Sequence, residues 1–204
     1  MLIRIEGLPY IIGCGLGALM LGRTRFRYVG LVPLLFTTWF FRDPAREKPT
    51  QAGTVLSPAD GTVLEVSQTT EERVGPCTKV AIFMSVFNVH VNRVPLDGEV
   101  LDKIYKPGAF RVASLGKKTE ANERMILYIK HPMGIVRVDQ VAGLIARRIH
   151  CWPQKGDHLT QGARFGLIRF GSLLECYIPQ GVQVIARKGD KVYAGQTILG
   201  RMPS

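Results

Sequence analysis

The chain has 204 residues, 46% of them hydrophobic, and its 27 Lys and Arg against 16 Asp and Glu give a formal net charge of +11. This length suits one domain with an appendage and excludes a large multidomain assembly, while the apolar share is enough for a packed core. The positive excess calls for an anionic partner. Because the basic residues are spread along the chain without an aromatic-interleaved RNA-binding signature or a zinc-finger spacing, an acidic bilayer fits better and no nucleic acid is expected.

Residues 7–22 carry no charge, and after Arg23, Arg25 and Arg27 a second uncharged run covers 28–41, closed by Arg42. At about 1.5 Å per helical residue these runs reach roughly 24 and 21 Å, short of a ~30 Å hydrocarbon core. A short helical hairpin flanked by snorkelling arginines, or two helices half-sunk in one leaflet, would satisfy the backbone and set Trp39 near the interface. Two other readings stand beside it: a cleaved signal peptide, for which no small-x-small site follows cleanly, and a pair of buried core helices. Asp43-Pro44 ends the apolar zone. The expected organisation is apolar membrane-associating helices over 1–42, a linker over 43–53, and a separate domain over 54–204.

That last domain reads as β. Short β-branched runs punctuated by glycine predict strands over 61–66, 79–83, 98–101, 125–129 and 135–138, and further runs at 175–178 and 182–185 are expected to pair with strands of the longer preceding part. An internal echo supports this: Lys155-Gly156-Asp157 with Gly162 and Gly166 matches Lys188-Gly189-Asp190 with Gly195 and Gly200. Such turn-strand units resemble those of the barrel-sandwich hybrid fold of biotinyl and lipoyl carriers. The expected fold is therefore mainly β, a barrel-sandwich-hybrid-like domain behind an N-terminal apolar helical membrane-associating segment. A carrier role is disfavoured, since no Met-Lys-Met or Asp-Lys-Ala triplet occupies a turn, and so is a zinc peptidase of related fold, since His90-Val91-Asn92 lacks the second histidine of an H-x-H step.

Cys14, Cys77, Cys151 and Cys176 form no C-x-x-C pair and read as buried free thiols. With His90, His131, His150 and His158 also lacking ligand spacing, no metal is expected. Two steps carry chemistry instead. In Gly171-Ser172 the hydroxyl can attack the preceding carbonyl, because glycine leaves the approach open; taken alone such a pair is an ordinary turn. His90 has a ring suited to proton transfer near neutrality, or is a strand histidine with a satisfied ring; Asp60, before Gly61, is by default a turn aspartate.

Taken together and in order, Ser57-Pro58-Ala59-Asp60-Gly61, Phe87-Asn88-Val89-His90-Val91-Asn92-Arg93-Val94-Pro95, Asn122-Glu123-Arg124, Gly143-Leu144-Ile145-Ala146-Arg147-Arg148-Ile149, Lys155-Gly156-Asp157, and Gly162-Ala163-Arg164-Phe165-Gly166 leading to Phe170-Gly171-Ser172, resemble the short (type A) prokaryotic form of phosphatidylserine decarboxylase proenzymes, over about residues 41–200. The resemblance implies a chain that cuts itself between Gly171 and Ser172 and turns Ser172 into a covalently bound pyruvoyl group, a ketone able to condense with the amine of phosphatidylserine and draw off electrons as carbon dioxide leaves. It implies catalytic roles for Ser172, for His90 as proton carrier, and for Asp60 as the carboxylate that orients His90. Longer members carry a second histidine where this chain has Arg93, so His90 is not assigned to one step alone, and Leu173-Leu174 stands where a basic residue often follows the serine. Arg93 or Arg124 could contact the lipid phosphate, though Asn122-Glu123-Arg124 also reads as a solvated turn. The large (1–171) and small (172–204) chains are expected to stay associated, at the cell membrane with the catalytic domain on the cytoplasmic side; a homo-oligomer is compatible with the sequence. The alternatives are a membrane-anchored, non-catalytic hybrid-fold adaptor and a pyruvoyl decarboxylase of a soluble amino acid.

Overall fold

The computed structural model describes residues 2–22, 24, 26–108, 121–143, 149–169 and 172–203, so the expected cleavage partner Gly171 and the stretch 144–148 lie outside the described residues. The chain divides into two compact units, Met1–Ala45 and Arg46–Ser204.

In the first unit the two uncharged runs form helices α1 (Leu8–Leu21) and α2 (Arg27–Phe40), bracketed by the antiparallel pair β1 (Leu2–Ile3) and β2 (Arg42–Asp43). The helices pack where Gly30 meets Ala18: a Cβ on Gly30 would stand 2.7 Å from the Ala18 Cα, so a side chain there would push them apart. Phe40 and Phe41 are fully buried, yet α1 buries none of its residues, and Leu19 and Met20 are 76% and 84% exposed. Among the described residues, no helix is long and apolar enough to cross a membrane.

The second unit is mainly β. Its strands are β3 (Thr54–Leu56), β4 (Gly61–Glu71), β5 (Gly75–Met84), β6 (Val91–Arg93), β7 (Gly98–Lys106), β8 (Arg124–His131), β9 (Gly134–Ala142), β10 (Ile149–Cys151), β11 (His158–Leu159), β12 (Arg164–Ile168), β13 (Ser172–Pro179), β14 (Gln183–Val184), β15 (Lys191–Val192) and β16 (Ile198–Arg201). The five predicted strands all occur, each longer than its apolar run because neighbouring strands keep pairing past the last branched residue. Among the described residues they build an eight-stranded sheet, β11-β7-β8-β9-β13-β5-β4-β15, and two three-stranded sheets, β10-β12-β6 and β14-β16-β3.

These orders are palindromic. Exchanging β11 with β15, β7 with β4, β8 with β5, and β9 with β13 reverses the large sheet onto itself, and the same exchange turns one small sheet into the other. Local details follow the exchange. The ladder β4–β5 bulges between Val63 and Glu65, and β7–β8 bulges between Val100 and Asp102. Both Lys-Gly-Asp turns place glycine at positive φ, +89° for Gly156 and +96° for Gly189. Gly156 N donates to Val100 O and Gly189 N to Val63 O, both at 2.8 Å. The domain is thus two equivalent halves, with β6 through β12 forming one half inserted between β5 and β13 of the other. A sequence repeat records this: Pro58-Ala59-Asp60-Gly61-Thr62-Val63-Leu64 against Pro95-Leu96-Asp97-Gly98-Glu99-Val100-Leu101.

The inner sheet face carries the core, including Val63, Ile82, Met84, Val138, Leu174 and Cys176. The run 175–178 pairs as expected, through β13, with β5 and β9. The run 182–185 does not: β14 pairs with β16 of the same C-terminal piece, and β16 in turn with β3. All four cysteines are free, with Cys77 and Cys176 buried and Cys14 and Cys151 half-buried, and burial pushes the Cys176 thiol up to about 12.

The outer face holds buried charge. Arg137 forks onto Asp139 and reaches Glu71 at 3.0 Å, while Arg124 pairs with Asp139 at 3.1 Å and Glu175 at 3.3 Å. Asn122-Glu123-Arg124 is accordingly a buried strand entry and not a solvated turn, and Arg124 is not offered to a lipid phosphate. Arg93 is 6% exposed and gives a guanidinium N–H to Gly162 O at 2.9 Å, so it too faces inward.

Burial pushes the Glu71 carboxyl up, but the N–H groups of Arg73 and Val74, the Tyr128 hydroxyl and Arg137 outweigh it and hold the group below its ordinary value of 4.5. A depressed carboxyl contributes stability above its unfolded pKa and loses it as pH falls through the folded one. We therefore expect Glu71→Gln to be less stable at neutral pH and to show a flatter loss of stability on acidification, read by urea unfolding from neutral pH down to about pH 2. Parallel pH curves for the two proteins would contradict this.

Candidate active site

Four strands bring the predicted residues to one end of the large sheet. Ser172, the first residue of β13, lies opposite Ala142 on one side and Met84 on the other. Thr62 pairs with Phe83 one step further in, so Asp60 and Gly61 fall at the same end. Gly61 is required there, since a Cβ would run into the Phe83 carbonyl.

After Met84 the chain turns through 85–88, where Ser85 N and Oγ both donate to Asn88 Oδ1 at 2.9 Å. His90 follows, fully buried, its carbonyl accepting from Ile168 N at 3.3 Å. His90 thereby lies beside the end of β12, and Ser172 opens the next strand in the chain, β13. The His90 Nδ1 stands 3.0 Å from the Asn88 carbonyl oxygen. A carbonyl only accepts, so Nδ1 carries the proton and Nε2 is the basic nitrogen of the neutral ring.

Ser172 is fully buried on the inner face, and among the described residues its Oγ has no hydrogen-bond partner. A buried hydroxyl left unmet costs about 1–3 kcal/mol, so the position is poorly suited to a permanent serine. The residues around it are held by side-chain amides: Asn122 Nδ2 donates to Ala142 O at 2.8 Å, Gln140 Nε2 to Asn92 Oδ1 at 2.8 Å, and Asn92 Nδ2 approaches Met84 Sδ at 3.6 Å. Gln140 escaped the sequence reading, although a polar residue in the inward phase of Val136 and Val138 was its visible signal.

Asp60 is buried, with Oδ1 accepting from Ala194 N and Oδ2 from Arg46, each at 2.8 Å. Among the described residues it makes no hydrogen bond to His90; the structure brings the two to one sheet end without joining them. Arg46 lies in the stretch read as a linker, where nothing in the sequence marked it. Its other N–H reaches Gln196 Oε1 at 2.7 Å.

The profile of the family described as phosphatidylserine decarboxylase matches residues 34–200. The chain belongs to the phosphatidylserine decarboxylase family. It is 44% identical over 202 residues to the phosphatidylserine decarboxylase proenzyme of Syntrophus aciditrophicus, covering 96% of this chain and 95% of that protein. The proenzyme of Geobacter metallireducens is 46% identical, covering 98% and 97%, and that of Symbiobacterium thermophilum 50% identical, covering 83% and 80%.

For this decarboxylase-family chain, the Arg46–Asp60 pair is a testable anchor. Removing one partner of a buried ion pair strands the other charge, so Arg46→Ala is expected to cost about 3 kcal/mol of unfolding free energy. Asp60→Asn in the same chain should recover part of that loss, and strictly additive losses in urea titrations would show the pair to be energetically idle.

Proposed function

We propose that the chain is a self-processing, pyruvoyl-dependent decarboxylase that converts phosphatidylserine to phosphatidylethanolamine. Maturation begins when Ser172 Oγ attacks the Gly171 carbonyl and the amide becomes an ester. Removal of the Ser172 α-proton then expels the Gly171 carboxylate together with Oγ, and water replaces the remaining nitrogen, which departs as ammonia. His90 Nε2 is the base for these proton transfers, and Asp60 steadies the same sheet end through its bonds from Arg46 and Ala194 N.

The observation that carries this reading is the buried Ser172 hydroxyl, which has no hydrogen-bond partner among the described residues. Residue 172 fits the group: on conversion its Cβ becomes a methyl, which suits the apolar neighbours Met84 and Ala142, and the unsatisfied oxygen leaves. A pyruvoyl group there supplies an electron sink, a ketone conjugated to the following amide carbonyl. The inner-face packing around Ser172 keeps bulk water from it, and His90 returns a proton to the product carbon. The 1–171 and 172–204 pieces remain together because β13 keeps its ladders to β5 and β9.

The exposed apolar sides of α1 and α2 associate with a membrane, the β unit works on its cytoplasmic side, and the paired small sheets support a barrel-sandwich-hybrid arrangement. Vesicles containing phosphatidylserine should yield phosphatidylethanolamine and carbon dioxide with the purified protein. A split chain that releases no carbon dioxide from them would overturn the assignment.

A further inference from the structure

The two equivalent halves contain an internal control. The turn before β11 and the turn before β15 have the same hydrogen bonds: Gln154 N to Asp157 Oδ2 and Arg187 N to Asp190 Oδ2 at 2.8 Å, Val100 N to Asp157 O and Val63 N to Asp190 O at 2.9 Å. Whatever the fold requires of such a turn is met by Gln154, His158 and Thr160 in one copy. In the other copy the corresponding residues are Arg187, Lys191 and Tyr193. The fold does not explain that difference.

The basic copy is the one beside the candidate site. A cleft of about 310 Å³ lies between Gly61, Thr62, Ser85, Asn88, Lys191 and Tyr193, next to Asp60 and the β5 end that faces Ser172. Lys191 lines it and is exposed, Arg187 and Lys188 are exposed on the turn that leads into the same strand, Tyr193 is 51% exposed, and Phe87 on the neighbouring turn is 69% exposed. At the far copy, Lys130 and Lys155 are offset by Glu99, Asp97 and Asp157. On the near side Asp190 matches Asp157, but Asp60 is buried against Arg46 and Thr62 stands where the far copy has Glu99, so Arg187, Lys188 and Lys191 outnumber the one exposed carboxylate and leave a cationic, aromatic-edged mouth.

We propose that Arg187, Lys188 and Lys191, with Tyr193 and Phe87, dock the mouth of the cleft onto an anionic phospholipid surface. Basic residues at the rim are drawn to the negative surface, and two exposed aromatic rings enter the headgroup layer. The inference rests on the reading of the substrate as a membrane lipid and adds where the catalytic unit meets that membrane.

The test is hydrogen–deuterium exchange on the full-length Ser172→Ala chain, so that the surface is probed without turnover. Vesicles of phosphatidylcholine with phosphatidylglycerol should protect amides 185–193, vesicles of phosphatidylcholine alone should not, and amides 154–160 should be unchanged. Replacing the rim by the other copy's residues, Arg187→Gln, Lys191→His and Tyr193→Thr together, should raise the lipid concentration for half-protection about 30-fold at mildly alkaline pH, the effect of losing two basic residues at a charged surface. The reciprocal exchange, Gln154→Arg, His158→Lys and Thr160→Tyr, should leave protection of 185–193 as in the parent. Absence of protection with phosphatidylglycerol, or protection with phosphatidylserine only, would overturn the docking surface. Carbon dioxide release by the wild-type chain judges the decarboxylase reading separately.

Discussion

Ser172→Ala is expected to remain a single full-length chain with no decarboxylase activity, while folding as the parent does. The nucleophile of the cleavage is this side chain's hydroxyl, and without the ester it forms there is no leaving group for the elimination that makes the ketone, so its loss removes both events and not merely a fraction of a rate. The fold should be spared, because Ser172 Oγ makes no hydrogen bond among the described residues and Ala places a methyl beside Met84 and Ala142. Gel electrophoresis and circular dichroism decide the matter together. A normal two-chain product from this variant would place the cut elsewhere or assign it to a protease.

His90→Gln is expected to slow chain cleavage about 100- to 10,000-fold, the range general-base removal covers. Glutamine puts an uncharged amide of similar reach where Nε2 stands, so it removes the base with little change in bulk. Single-turnover gels following full-length chain against time give the rate, and the melting temperature controls for packing. Cleavage at the parent rate would remove His90 from the proton path and leave another group, or water, in that role.

The fold class was legible because glycine and β-branched runs mark strands directly, and the five strands predicted between 61 and 138 are all present. The pairing of 182–185 differs from the expectation because an apolar run does not name its partner; β14 pairs with β16 across residues 185–197, which include β15 and its pairing to β4. The twofold relation was only half read. The two Lys-Gly-Asp turns stood out, but the Pro-x-Asp-Gly-x-Val-Leu repeat at Asp60 and Asp97 went unseen because its first copy was read as a site and its second as a strand.

Ser172, His90 and Asp60 stand out through the family's motifs, and the structure brings them to one sheet end; Arg46 does not stand out, since a charged residue in a polar stretch looks like any linker. Arg124 shows the converse error. Its surroundings in sequence are polar, yet the pairing of β8, β9 and β13 surrounds it with Asp139 and Glu175. Long-range ladders, not local composition, decide which charges are buried.

The intact mass of the purified protein tests the account most directly. Two species are predicted, with the smaller beginning at residue 172 and about 17 Da lighter than a fragment with an N-terminal serine, the mass of the ammonia lost when the ketone forms. A single unbroken polypeptide, or a small fragment retaining an ordinary seryl terminus, would contradict it.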